Sequence, residues 1–192
     1  MDYIFKTEEV ALRKLEDTKS DCELVLKWRS SPEIKQDYGS FPNGIYNFES
    51  VRQKNIKKLN TEGSFACIME FKNQPIGYLQ FYYVDFEEYK IPKEKFKDFI
   101  SENDKVMAID LYIGEVNLQG KGIGTKIIKL LIKTLFEKYN ADAILIDPKT
   151  INERAIKCYH KAGFKDLFVM PKREKQTGIY YDNLIMGIRK GE

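Results

Sequence analysis

The stretch from residue 106 to 147 limits the possible folds more than any other part of the chain. An apolar run, VMAIDLYIGE (106–115), leads into a glycine-rich turn, QGKGIGTK (119–126), and then into a lysine-dotted apolar helix that runs to about Tyr139. A second apolar run, AILID (143–147), follows and is stopped by Pro148. Strand, loop, helix and strand in that order require a sheet with a helix packed on its face. Downstream, Asn152 is placed to cap a helix, NERAIKCYHKA, that Gly163 ends. FKDLFVM and IYYDNLIMGIR, about 164–170 and 179–189, supply two last strands joined by a basic loop, PKREKQTG.

The upstream half is read more coarsely. Val10–Leu15 alternates as a strand, and Asp21–Arg29 forms a helix ended by the Pro32 turn. Asn47 caps a helix whose Phe48, Val51, Ile56 and Leu59 share a face, and residues 64–84 fold as a hairpin turned by KNQP. The polar segment 85–105 reads as an insertion or lid rather than core. The expectation is one domain over residues 1–192, a mixed α/β (α+β) sheet with helices on its faces.

Composition excludes several function classes. The 32 basic and 29 acidic residues leave a net charge of only +3, so no global field draws the chain to nucleic acid or membrane. The start, MDYIFKTEEV, has no apolar signal region, and no stretch reaches the ~18 apolar residues of a membrane span, which reads as cytoplasmic. Three dispersed cysteines, Cys22, Cys67 and Cys158, fit neither a zinc site nor a disulfide framework, so no metal is expected. The one histidine, His160, lies two residues from Cys158, where helical positions point about 200° apart, so a Cys–His nucleophile is disfavoured.

The glycine turn is an anion loop of a particular kind. Gly124 is followed by Thr125 and then Lys126, the reverse of the Walker A order, and no third glycine falls where a dinucleotide fingerprint needs one. What remains is QxxGxG, met by Gln119, Gly122 and Gly124, between a strand and a helix. Such a turn brings backbone N–H groups and a helix N-terminus to one anion, a pyrophosphate being the natural ligand. Lys121 and Lys126 could add screened charge.

This loop together with NERAIKCYHKAGF, which carries Asn152, Ala155, Tyr159, Lys161, Gly163 and Phe164 in an NxxAxxxYxKxGF pattern, resembles the GNAT superfamily of acetyl-CoA-dependent N-acetyltransferases. Within it, PIGYLQFYYV, AIDLYIGE, QGKGIGTK and DPKTINERAIKCYHKAGF are similar to the aminoglycoside 6'-N-acetyltransferases, including the acetylating half of the bifunctional aminoglycoside-modifying enzyme. The resemblance runs from WRSSPEIKQDYG to the last hairpin and is loose in 85–105. It implies a GNAT-like acyl-CoA N-acyltransferase fold with a mainly antiparallel twisted sheet. It implies acetyl-CoA as donor, a polycationic aminoglycoside as acceptor and direct transfer to its 6'-amine. It leaves monomer and homodimer equally open.

The family's site residues carry over position by position. Leu111, Tyr112 and Ile113 correspond to the splayed strand whose amides hold the thioester. Gln119, Gly120, Lys121, Gly122, Ile123, Gly124, Thr125 and Lys126 correspond to the pyrophosphate loop, with Asn152, Ala155 and Tyr159 beside it. Tyr159, one helical turn after Ala155, is the candidate general acid, and a phenol near ~10 is protonated at neutral pH.

Asp110 lies in an apolar strand, where a carboxylate needs a partner or a purpose, and by resemblance it sits beside the acceptor amine. Proton transfer from an ammonium near ~10 to a carboxylate near ~3.9 costs roughly 8 kcal/mol, inside the ~16 kcal/mol barrier of a ~10 per second turnover. Asp110 is therefore read chiefly as the group that binds and orients the amine. Asp147 and the run Asp85–Glu88 complete a candidate anionic wall, with Tyr38, Gln80 and Asp182 as further acceptor contacts. Two rivals remain open, a ribosomal-protein N-terminal acetyltransferase of the same fold and a non-catalytic coenzyme A-binding regulator.

Overall fold

The computed structural model describes residues 2–38, 47–176 and 178–191, except that the side chains of 36–38 are not described. The elements are β1 (Tyr3–Lys6), β2 (Val10–Lys14), α1 (Lys19–Ser30), α2 (Pro32–Tyr38), α3 (Phe48–Leu59), β3 (Ser64–Phe71) and β4 (Gln74–Tyr83). They continue with α4 (Phe86–Tyr89), β5 (Val106–Ile113), α5 (Ile123–Lys138), β6 (Ala143–Ile146), α6 (Glu153–Ala162), β7 (Lys165–Gln176) and β8 (Ile179–Arg189). Among the described residues one sheet takes all eight strands in the order β1-β2-β3-β4-β5-β6-β8-β7, antiparallel at every pair but β5/β6. That parallel pair needs a crossover, and α5 is it.

The local signals act as their chemistry predicts. Asn47 accepts from the Ser50 amide and Ser50 returns the bond to Asn47, closing a capping box on α3. Asn152 accepts from the Ala155 amide, and Gly163, at φ 109°, ends α6. Lys72 and Asn73 both adopt positive φ, which gives the β3–β4 hairpin a turn that matches strand twist.

Four expectations are corrected. Residues 3–6 form a further strand, β1, a four-residue edge too short to show a period. Pro32 opens α2 instead of merely ending α1, since proline is tolerated in a first turn. PKREKQ is strand, because β7 runs on to Gln176 and, past an irregularity, Glu174, Lys175 and Gln176 are still in register with β8. The segment 85–105 is not simply a lid: Tyr89, Ile91, Phe96 and Ile100 are buried against Val106, Ala108, Ala143, Leu145 and Ile185. Its apolar residues are widely spaced in a charged run, so no helical or strand period announces them.

The sheet has a core on each face. On one, α5 lays Ile127, Ile128, Leu131 and Leu135 over Leu12, Met69, Leu79, Met107 and Ile144. On the other, Val25 and Trp28 of α1, Ile34 of α2 and Val51 of α3 pack on Ile68, Tyr78 and Tyr112. Trp28 lies so close to Gly114 that a Cβ there would fall 2.1 Å from its ring, so only glycine fits. Among the described residues no helix is long and apolar enough to cross a membrane.

A buried ionic knot joins β2, α1 and β3. Arg13 donates to both oxygens of Asp21 at 2.6 and 2.7 Å and to Glu70 at 3.1 Å, with all three side chains less than a tenth exposed. Asp21 also accepts from the Glu16 amide. Removing one partner strands a buried charge, which costs about 3–5 kcal/mol. Arg13→Ala should lose stability of that order in urea denaturation, while Asp17→Ala, which breaks the solvent-exposed Arg52 pair, should lose less than about 1 kcal/mol.

Candidate active site

Alternation along the strands sets out the polar side chains. On β5, Val106 and Ala108 point to the cluster built by 85–105 and Tyr112 points to the α1–α3 cluster, so Asp110 falls between them on the same face. On β4, Tyr78 and Tyr82 make the same division and Gln80 lies between. Gln80 is the register partner of Asp110. A gap between two hydrophobic clusters thus contains an amide and a carboxylate, and Asp147 follows on the same face just past the end of β6.

The strands themselves open the other half of the site. β5 and β6 pair only at Val106–Ala143, Met107–Ile144 and Ala108–Leu145, after which they part. Ile109–Ile113 stays bonded to β4 but has no β6 partner. That edge of β5 borders the opening instead of a neighbouring strand. The resulting cleft, about 1440 Å³, runs from the Asp110 end to the glycine loop.

At the loop, Gly120 and Gly122 have φ of 74° and 80°, and a Cβ at either would meet nothing within 4 Å. Backbone geometry, not crowding, demands glycine there, and the loop is an open cradle. Gly122 caps α5 with no side-chain hydrogen bond, so the first amides of that sixteen-residue helix face the cleft unsatisfied by a side chain. Gln119 secures the entry, donating to the Ile113 carbonyl at 2.7 Å and accepting from Arg154 at 2.6 Å. These features suit a diphosphate.

Most of the residues read from the sequence line this cleft: Leu111, Tyr112, Ile113, Gln119, Gly120, Gly122, Gly124, Thr125, Lys126, Asn152, Ala155 and Tyr159 along one part, and Gln80, Asp110 and Asp147 along the other. Lys121 and Ile123 do not line it. Lys126 pairs with Glu9, so its charge is shared with the β1–β2 turn. Tyr159 is buried, with its ring edge-on to Phe164. Cys158 faces inward to Thr125 at 3.1 Å, whereas His160 points outward to Asp166 at 2.6 Å.

The expected acidic wall is smaller than read. Asp85 is exposed and caps α4 through the Glu87 and Glu88 amides, and Glu88 is exposed beside it; neither lines the cleft. Asp182 is also exposed and holds the Lys172 amide at the β7 irregularity. Asp85 caps a helix and Asp182 holds an outward strand position, where their carboxylates satisfy local amides, and Glu88 lies on the exposed side of α4. Tyr38 closes α2, and its side chain lies outside the described residues.

Cations missed in the sequence stand close to the two inner carboxylates. Gln80 donates to Asp110 at 2.6 Å and accepts from the Tyr78 hydroxyl at 3.0 Å and from the Lys58 ammonium. Arg173 meets Asp147 at 3.2 Å, and its guanidinium lies 4.8 Å from the Tyr89 ring centre. Lys149, buried, pairs with Glu174 at 3.4 Å, while Asn183 holds the Asp147 carbonyl at 2.6 Å.

Burial, then the charge of Asp110, pushes the Asp147 carboxyl up against the opposing pull of Arg173. Burial lowers Lys58, with Asp110 opposing. Burial, then Arg29 and Lys58, lowers Lys54 to about 8, tempered by the part of its side chain left in water. Helix α3 reaches this site only through tertiary packing. Tyr78 was legible in principle, two residues from Gln80 on the same strand face.

Comparison with known proteins agrees with this architecture. The acetyltransferase (GNAT) domain model matches residues 17–169, and the chain belongs to that family. It is similar to the aminoglycoside N(6')-acetyltransferases type 1 of Klebsiella pneumoniae and Serratia marcescens, each 27% identical over 165 residues, 82% of this chain and 75% of theirs. Among solved structures, aminoglycoside acetyltransferase AAC(6')-Ib in complex with coenzyme A superposes with a TM-score of 0.72 at 26% identity, covering 94% of this chain and 95% of that one. The spermidine N-acetyltransferase of Vibrio cholerae shares the fold, with a TM-score of 0.75 at 16% identity over 95% and 96% of the two chains.

The raised Asp147 carboxyl has a thermodynamic consequence. Its native form holds a proton that the unfolded chain, with a carboxyl near ~3.9, has already released, so the stability of the fold falls as pH rises from about 4 through neutrality. Asp147→Asn should flatten that decline by roughly 1–2 kcal/mol between pH 5 and pH 8, read from denaturation midpoints across the range. Arg173→Met, which removes the opposing charge, should steepen it.

Proposed function

We propose that residues 1–192 form one acetyltransferase domain that moves acetyl from acetyl-CoA directly to the 6'-amine of an aminoglycoside. The observation that carries this reading is the single cleft that joins a glycine diphosphate cradle to Asp110, with an opened strand edge between them. The relatives support the acceptor class: two are aminoglycoside N(6')-acetyltransferases, and the kanamycin resistance protein of Rhizobium radiobacter is 42% identical over 60 residues, 31% of this chain and 56% of that one. AAC(6')-Ib has also been solved with coenzyme A and kanamycin.

Acetyl-CoA supplies the acetyl group already activated as a thioester. The loop amides, with Gln119 fixing the entry, hold its diphosphate, and the β5 edge from Ile109 to Ile113, which β6 does not cover, receives the pantetheine and polarises the carbonyl. Asp110, aligned by Gln80, binds and orients the acceptor amine and draws off its proton, while Asp147, whose raised carboxyl ionises as an ammonium approaches, contributes a second contact. Tyr159, buried on α6, is the acid that protonates the departing thiolate. We place the reaction in the cytoplasm, with its supply of acetyl-CoA.

The test incubates the protein with acetyl-CoA and, separately, kanamycin, tobramycin, an aminoglycoside bearing a 6'-hydroxyl, and a ribosomal-protein peptide, and measures free thiol. Thiol release with the 6'-amines alone is the expected result. Peptide-only release would move the assignment to the N-terminal acetyltransferases, and coenzyme binding with no release to a regulator. Asp110→Asn should lower kcat roughly 100-fold or more while the KM for acetyl-CoA stays within about twofold. Gly122→Ala forces a left-handed residue at a strain of about 1–2 kcal/mol, and calorimetry should show coenzyme A binding weakened roughly tenfold.

A further inference from the structure

The acceptor end of the cleft is not the uniformly anionic pocket that a polycation would favour. α3 presents Lys54 and Lys58 one turn apart to the same cavity that Asp110 lines, and Arg29 of α1 lines it too. Lys58 is held in place: its ammonium donates to the Gln80 oxygen, and the other end of that amide donates to Asp110 at 2.6 Å. Two hydrogen bonds and one amide put the Lys58 charge no more than about 7–8 Å from the carboxylate that is to receive the acceptor amine.

We propose that Lys58 is a specificity-determining residue: a built-in cation beside Asp110 that disfavours acceptors carrying a second ammonium on the same ring as the reacting amine, and favours those with a hydroxyl there. This rests on the acceptor reading given above. The reacting amine must lose its charge before transfer, so Lys58 does not oppose it at that stage. A second ammonium on the ring keeps its charge through the reaction and is repelled at a range inside the ~8–10 Å Debye length, where salt weakens the repulsion only in part. A hydroxyl at the same position meets no such opposition. The nearby Asp147 cannot cancel the effect fully, because Arg173 already shares its charge.

Kanamycin A and kanamycin B provide the test, since they differ in a hydroxyl or an ammonium on the ring that bears the 6'-amine. The unsubstituted protein should prefer kanamycin A by about fivefold or more in kcat/KM at low salt, and the preference should shrink as ionic strength rises. Lys58→Met should bring the two within about twofold, whereas Lys58→Arg, which keeps the charge, should retain the preference. An equal A-to-B ratio in the unsubstituted protein and Lys58→Met overturns the inference and leaves the acceptor reading intact. Where the antibiotics bind without turnover, the ratio of their calorimetric dissociation constants decides the matter in the same way. Absence of both binding and thiol release overturns the acceptor reading and this inference with it.

Discussion

Among the described residues β5 and β6 are the one parallel pair of strands, and they remain bonded for three residues before they part. A parallel pair needs a crossover, and the crossover helix α5 starts from the glycine loop that sits where the strands diverge. The divergence therefore does two things at once. It frees one edge of β5, and it brings the N-terminus of α5 to the mouth of the opening. Had the two strands stayed paired to their ends, Asp110 would face a closed sheet, and the loop would be an anion site with nothing to deliver to.

Around that opening, the hydrophobic layers define where polarity is allowed. Tyr78 and Tyr112 belong to one cluster, and Tyr82, Ala108 and Leu145 belong to or pack on another. Gln80 and Asp110 occupy the strand positions between, where neither cluster covers them. The segment 85–105 matters for this reason, since its Tyr89, Ile91 and Phe96 build the second cluster and so make the far wall of the gap. The hydrogen bonds of Gln80 to Tyr78, Lys58 and Asp110 then fix an amide that would otherwise be free to turn.

Charge in this site is organised by burial more than by number. Asp147 is raised because it is largely enclosed near another carboxylate, and Lys58 is lowered because it is partly enclosed in the same cleft. Each inner carboxylate has a cation close by: Arg173 for Asp147, and Lys58, across Gln80, for Asp110. Exposed acids such as Asp85 and Asp182 serve local backbone amides instead, and Glu88 faces solvent. Counting acidic residues along the chain could not separate these two groups, since the distinction lies in which face and which layer each one reaches.

The sequence by itself determined the strand–loop–helix–strand order from 106 to 147, the caps at Asn47, Asn152 and Gly163, the glycine cradle, and the strand position of Asp110. These are local matters, decided by dihedral preferences, capping hydrogen bonds and the period of apolar residues within a few turns of chain. Only the tertiary structure decided that β5 and β6 part after three pairs, that 85–105 is core, that PKREKQ continues β7 and sends Arg173 to Asp147, and that Lys58 stands beside Asp110. Most of these depend on segments tens of residues apart meeting across the sheet, as Arg173 meets Asp147 and Lys58 reaches Asp110 across Gln80, and no periodicity within one segment encodes which partner it will meet.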